Sequence, residues 1–241
     1  MFPIHYCFLV GLLSLFASES NAGVASFIKP CKADDKECIK TNTQNALPYF
    51  AKGIPEMGVP VMEPIKVDSV RSDERDLKLG FRDLVISGLS KCKILDVERN
   101  VQKSTIKLIF ECPLRGVGKY DIKGKILLLD IFGNDDFEIK GKVRMTVEIK
   151  TKLIEKKGNT YWKVTGFDYS YDLLDKVKID LKNLYDGDEQ RAKPMLAAID
   201  GAGNDLVQEV GGGIITQLVG KIVDILKNVF HELPTKDLEI A

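Results

Sequence analysis

Few side chains in this 241-residue sequence have the types and spacing that chemistry requires. Downstream of residue 22 there are four cysteines, Cys31, Cys38, Cys92 and Cys112, and a single histidine, His231. A zinc site would need several thiolates or imidazoles at close spacing, and there is no CxxC. His231 falls in the last turn of an expected helix, where a cation complements the helix dipole. Asp135-Asp136 follows Gly133-Asn134 and reads as turn chemistry; calcium would need more oxygen ligands nearby. Gly211-Gly212-Gly213 follows no strand and precedes no Lys-Ser/Thr pair, so it does not read as a phosphate cradle. There is no GxSxG, HExxH or GxGxxG pattern, and no spacing marks any carboxylate pair as acid and base. The expectation is a protein that is not an enzyme, with no metal and no cofactor.

The cysteines instead read as structural, and the start of the chain agrees. Tyr6 to Phe16 is an almost unbroken apolar run of 11 residues, too short to span a bilayer but suited to a secretion leader. Ser20 and Ala22 supply the small residues of a cleavage site. Residues 1–22 are therefore expected to be a signal peptide, and residues 23–241 one extracellular domain. Removing Glu19 with the leader leaves a formal charge of about +1. No overall field would draw the chain to nucleic acid, and no later segment suits stable membrane insertion. A monomer is expected. An even cysteine count in a secreted chain implies two disulfides. Cys31 and Cys38 bracket a short polar loop, which leaves Cys92 for Cys112. If their strands form a hairpin, Cys92 and Ile94 share one face, as do Ile106, Leu108, Phe110 and Cys112, so the thiols can sit opposite each other.

The elements that would position these residues follow from periodicity. Cys38–Lys52 reads as a short helix with a kink or break at Pro48, followed by an ordered extended connection over residues 53–64. From about Ile65 to Leu184 the period is two. Met145, Val147 and Ile149 alternate with polar residues, and so do Phe167, Tyr169, Tyr171 and Leu173. This is the pattern of long antiparallel strands with one face wet. Turns are expected at Arg99-Asn100, at Gly133–Asp136 and at Lys157-Gly158-Asn159. After Tyr185–Asp188 the period becomes helical and continues to Glu232, roughly 65 Å if unbroken. Its apolar stripe is wide and lacks the charge pattern of a coiled coil, so it needs cover on several sides. A long one-sided sheet beside such a helix suggests that the sheet curls round it. The internal glycines oppose a single helix. A break near Gly201–Gly203, with tolerated packing at Gly211–Gly213, is the expected arrangement.

Several motifs then occur in a telling order. Cys31 and Cys38 are followed by Leu47-Pro48, Gly53-Ile54-Pro55-Glu56, Gly58-Val59-Pro60 and Glu63-Pro64. After these come Leu84–Ser90, Gly118-Lys119-Tyr120, Lys157–Tyr161, Asn183–Asp188, Val229-Phe230 and Leu233-Pro234. The sequence resembles the insect takeout / juvenile hormone binding protein family over nearly the whole mature chain. The resemblance implies an α+β super-roll: a long, strongly curved antiparallel sheet wrapped around a long C-terminal helix, with a short N-terminal helix. It also implies an internal tunnel and carriage of juvenile hormone or a similar terpenoid or lipid in haemolymph, and it carries over the Cys31–Cys38 bridge. In such a tunnel the expected lining is Phe50, Ile54 and Met57; Tyr120, Phe132, Tyr161, Phe167 and Tyr169 from strands; and Met195, Ile199, Leu206 and Ile214 from the helix. A membrane-surface lipid-transfer or lipopolysaccharide-binding protein is the alternative, and would need an exposed apolar or basic tip.

Overall fold

Alternating burial over more than a hundred residues produces one seven-stranded antiparallel sheet. A computed structural model describes residues 27–74, 76–126 and 128–240; the expected signal peptide lies outside them. The elements are β1 (Cys31–Lys32), α1 (Lys36–Lys52), β2 (Ile65–Glu74), β3 (Leu77–Ser87), β4 (Lys93–Asn100), β5 (Thr105–Ile126), β6 (Leu129–Lys156), β7 (Asn159–Leu173) and β8 (Lys178–Leu181). They continue with α2 (Glu189–Gly201), α3 (Gly203–Val210), α4 (Gly212–Glu232) and β9 (Glu239–Ile240). The sheet order is β2-β3-β5-β6-β7, with β4 added to one end of β5 and β8 to β6. This is the α+β arrangement expected from periodicity.

The sheet does not close on itself. Its path ends at β2 on one side and β7 on the other, and α4 contacts both. Gln217 Nε2 on α4 donates to the Arg71 carbonyl of β2 at 2.6 Å. On the other flank, the Tyr169 hydroxyl of β7 lies 2.7 Å from Thr216 Oγ1. Edge strands expose unpaired backbone groups, and here a helix occupies the gap between two of them. The short edge strand β4 is treated similarly. The Gln44 side chain of α1 donates to the Cys92 carbonyl and accepts from the Ile94 amide.

Both disulfides form as expected, Cys31–Cys38 and Cys92–Cys112. Lys93 pairs with Glu111, so the second bridge continues the β4–β5 ladder by one step. The parallel pair β1–β9 then joins the first disulfide loop to the C-terminus. Two of the motif blocks also touch. The Glu63 carboxylate accepts from the Gly88 amide at 2.9 and 3.1 Å and from the Ser90 amide at 2.9 Å. Partial burial pushes this carboxyl up, but the bonds from Ser90 and Gly88 outweigh it and hold the pKa below its usual value.

Four expectations are corrected. First, α1 runs through Pro48 without a break. It is held on both sides of the proline, by Gln44 on β4 and by the Ala51 carbonyl, which accepts the Met62 and Glu63 amides. Second, residues 53–64 are not simply extended; Pro55–Met57 forms a 3-10 turn and Ile54 bridges Val59. Third, Gly133–Asp136 is not a turn but lies inside β6, and the chain reverses instead between Ile126 and Leu129. A Cβ on Gly133 would meet the Tyr120 hydroxyl at 2.8 Å, while Lys119 pairs with Asp135 and Asp136. Close approach and ion pairing explain residue types that resemble turn chemistry.

Fourth, the long helix is interrupted not only near Gly201–Gly203, as expected, but also at Gly211, where tolerated packing was expected. Ala202 leaves helical geometry at φ −110° and ψ 17°, and Gly211 separates α3 from α4. Backbone bonds from Ala202 to Ala198, Leu206 to Ala202, Gly211 to Val207 and Ile215 to Gly211 carry the i→i−4 ladder across both junctions, so each is a local irregularity rather than a chain reversal. Gly203 is fixed by tertiary contact: a Cβ there would lie 2.6 Å from the Val177 carbonyl oxygen. Next to it, the Asn204 side chain accepts from the Val177 amide and donates to the Asp175 carbonyl. At Gly212 a Cβ would meet nothing within 4 Å.

The glycines should therefore separate in mutation. Gly212→Ala should raise stability by up to about 1 kcal/mol through reduced chain entropy in the unfolded state. Gly203→Ala should lower it by about 1–3 kcal/mol by overpacking against the Val177 carbonyl. Urea denaturation of the two variants and the parent checks the opposite signs.

Candidate functional site

The helical segments place an apolar stripe along the inner face of the sheet, and three apolar clusters follow one another along it. In the first, Met195 and Ile199 of α2, Leu206 of α3 and Ile214 of α4 pack with Tyr120, Ile122, Ile131 and Phe137. In the next, Val219 and Val223 of α4 meet Met145, Val147 and Ile149 of β6 and Val164 of β7. In the last, Val229 and Leu233 meet Ile54, Met57, Val59 and Met62 of the segment after α1.

The expected lining residues distribute across all three. Tyr120, Met195, Ile199, Leu206 and Ile214 converge in the first cluster. Phe167 and Tyr169 border the second. Ile54 and Met57 lie in the third, with Phe50 against it. Two are placed differently. Tyr161 alternates with Trp162, whose ring meets Phe230 of α4 edge-on, so Tyr161 is on the opposite face of β7, under the Lys156 ammonium. Phe132 alternates with the fully buried Ile131 and sits at the margin of the first cluster, edge-on to Tyr185. Strand parity governs both, and neither turns with its core-facing neighbour.

Polar groups touch this interior mainly through phenols, each spent on the protein's own backbone. Tyr120 donates to the Lys182 carbonyl at 2.6 Å, Tyr171 to Val207 at 3.2 Å and Tyr185 to Asp130 at 2.7 Å. Tyr169 reaches Gly212 O at 3.4 Å besides Thr216. Tyr169 and Tyr171 thus grip the helix on either side of the Gly211 irregularity. Burial, reinforced by the Asp135 charge, pushes the Tyr120 phenol up to about 12. Burial also raises Tyr171 and Tyr185, with the Arg191 charge acting the other way on Tyr185.

Other groups were not legible beforehand. Arg191 stacks over Tyr185 at 4.4 Å and Phe132 at 5.3 Å. At the far end, Arg99 lies 5.0 Å from the Trp162 ring centroid and pairs with Glu239 at 3.1 Å. Tyr171 had a signal in its alternation with Tyr169; the stacks of Arg191 on Phe132 and Arg99 on Trp162 join residues about sixty positions apart and had none, and Arg191 on Tyr185 depends on how α2 starts. His231 sits in the last turn of α4 beside Glu232 and Lys156. The four cysteines are disulfide-bonded, and no cluster among the described residues could hold a metal ion.

Two concavities lie at the surface. The larger, about 610 Å³, lies where Lys52, Pro55 and Val61 approach Asp224, Ile225 and Asn228 of α4. The smaller, about 190 Å³, is a polar cleft beside β8 containing Glu138, Lys178 and Asp200. No helix among the described residues is long and apolar enough to cross a membrane.

Comparison with known proteins follows the same outline. A family model described as haemolymph juvenile hormone binding protein matches residues 7–239. The circadian clock-controlled protein daywake of Drosophila yakuba is 27% identical over 247 residues, covering 93% of this chain and 92% of its own. A juvenile hormone-binding protein of Manduca sexta is 26% identical over 95 residues, which is 38% of this chain and 42% of its own. The crystal structure of Takeout 1 from Epiphyas postvittana superposes with a TM-score of 0.85 at 22% identity, covering 89% of this chain and all of that one. At that identity the likeness is one of fold.

Tyr120 provides a pH-dependent handle on this interior. Its folded pKa is raised above the ordinary 10.0, so its contribution is complete below pH 10 and fades as pH rises through about 12. Tyr120→Phe should lower stability by about 1 kcal/mol at neutral pH, because it removes the bond to Lys182. It should also flatten the alkaline loss of stability between pH 10 and 12 and remove the latest step of phenolate absorbance. Spectrophotometric titration combined with urea denaturation measures all three effects.

Proposed function

The chain belongs to the haemolymph juvenile hormone binding protein family, and from that premise we propose that it is a secreted, monomeric carrier of a small hydrophobic ligand. In this reading residues 1–22 are removed on export and residues 23–241 form the single carrier domain. The cargo is juvenile hormone or a similar terpenoid or lipid, and the protein transports it without altering it. The observation that carries the reading is the apolar path along α2, α3 and α4, from Met195 through Val223 to Leu233, enclosed by the inner face of the sheet. A ligand would lie along this path between sheet and helices.

Met195, Ile199, Leu206 and Ile214 would line one end of the site, Phe167 and Tyr169 its middle, and Phe50, Ile54 and Met57 the other end. Tyr120 would contribute its ring, with its hydroxyl already committed to Lys182. Such a site is largely apolar with a few polar tips, the composition usual for small-molecule cavities. Two disulfides and a near-neutral surface suit an extracellular protein that works by diffusion.

Organic extraction of the protein from its natural source, followed by mass spectrometry, should release a stoichiometric apolar compound. A fluorescent lipid probe should bind the stripped protein and be displaced by juvenile hormone analogues. Ile199→Trp and Leu206→Trp, which fill the path, should weaken probe binding at least about tenfold while destabilising the fold by about 1–3 kcal/mol. No extracted compound together with no probe uptake by the stripped parent protein would overturn the carrier reading.

A further inference from the structure

The reversal between β5 and β6 is the hairpin turn, among the described residues, whose positive-φ residue is apolar. Hairpin turns that need positive φ are ordinarily built from Asn, Asp and Gly. The β6–β7 reversal follows this at Gly158, φ 75°, and places the polar Lys157 beside it at φ 51°. After β4 the chain turns through Val101-Gln102-Lys103-Ser104, and between β2 and β3 the sequence is Glu74-Arg75-Asp76. Between β5 and β6 it reads Ile126-Leu127-Leu128-Leu129. Leu128 adopts φ 66°, a backbone region that leucine rarely enters. Its side chain is 93% exposed and that of Leu129 is 54% exposed, whereas neighbouring Ile126 and Ile131 are buried in the first cluster. An apolar residue held in strained geometry and turned fully outward points to a role outside the fold.

The surface behind this tip carries a second signal. Lys78 of β3 pairs directly with Lys123 of β5, and Lys125 follows two residues on, on the same outer face. All three are exposed, and none has an ion-pair partner among the described residues. Asp130 stands opposite Lys125 in the register without closing an ion pair, and Asp76 adds one more negative charge nearby. Nearer the middle of the sheet Lys142 and Arg144 bind Glu111, and Arg115 and Lys140 bind Glu138. The exposed Lys152–Lys163 cross-strand pair is likewise without a salt bridge among the described residues, so what sets the tip apart is that its lysines stand behind two exposed leucines. We propose that the Leu128-Leu129 tip, with Lys78, Lys123 and Lys125 behind it, is the point at which this protein docks on an anionic lipid surface.

The shape favours a bilayer over a protein partner. A narrow projecting hairpin buries too little area on a firm surface to reach the roughly 1,200 Å² of a stable complex. A fluid interface closes round a tip from every side. Leucines then enter the acyl boundary while lysines meet lipid phosphates. The backbone cost is small, because Ile126 and Leu129 are already paired across the reversal. Docking here would set the first cluster, which holds Ile126, Ile131 and Ile199, nearest the membrane.

Co-sedimentation with vesicles of phosphatidylcholine alone, and of phosphatidylcholine mixed with phosphatidylserine, tests the proposal. The parent protein should bind the mixed vesicles, and added salt should weaken that binding. Leu128→Asp combined with Leu129→Asp should reduce the bound fraction at least about tenfold, with an unchanged melting midpoint. Lys123→Glu combined with Lys125→Glu should lose the preference for phosphatidylserine. Probe displacement by the same variants should remain at the parent level, so failure of membrane docking and failure of ligand carriage are read separately. The proposal is overturned if the parent protein does not sediment with either vesicle, or if the leucine variant binds as well as the parent. Self-association of the parent through this tip, abolished by the leucine substitutions in the absence of lipid, would overturn it in favour of a protein contact.

Discussion

The gap between β2 and β7 is the constraint on which the rest of this fold depends. An antiparallel sheet with one apolar face must either close on itself or be covered. Here it curls but does not close, and α4 fills the gap, touching both edges. The polar contacts differ on the two sides. Gln217 serves the free edge of β2, while tyrosines of β7 bind the helix backbone at Val207 and near Gly212. Because the helix completes the wall as well as filling the interior, its apolar stripe has to be wide.

The same constraint accounts for the helix irregularities. A straight helix of this length cannot meet the sheet, the β7–β8 connection and the segment after α1 equally well. The chain yields at the two places where side chains are missing. At Gly203 the backbone rests on the Val177 carbonyl and Asn204 pins the neighbouring loop. At Gly211 the ladder is carried across while Tyr169 and Tyr171 hold the flanking turns. Glycine costs helix stability, and the tertiary contacts at these junctions offset it.

The two ends of the molecule are finished in different ways. At one end Arg99 is nearly sealed between Trp162 and Glu239, and the β1–β9 pair ties the first disulfide loop to the C-terminus. A buried arginine stacked on indole and paired with a carboxylate favours a fixed closure. At the other end Arg191 stacks openly on Tyr185 and Phe132, and the leucine hairpin projects into solvent. One end is locked by charge and ring contacts, and the other ends in an open arginine stack and the exposed Leu128.

By itself the sequence determined what depends on local periodicity and chemical type. Strand alternation, the helical stripe after Asp188, the disulfide pairing and the scarcity of catalytic groups were all legible, because each rests on spacing within one segment or on counting. The expected residues that share the first cluster do so for that reason: Ile199 and Leu206 lie on a stripe that only an enclosing sheet can bury. Tertiary structure decided the rest. Whether Gly133–Asp136 turned or ran straight depended on Tyr120 and Lys119 of the neighbouring strand. The continuity of α1 through Pro48 depended on contacts to β4 and to residues 62–63. The marginal position of Phe132 and the outward placement of Tyr161 depended on which neighbour met the helices, and composition is blind to that parity. The projecting Leu128 became visible only when the true reversal was located, since a run of leucines within a strand-rich sequence otherwise reads as core.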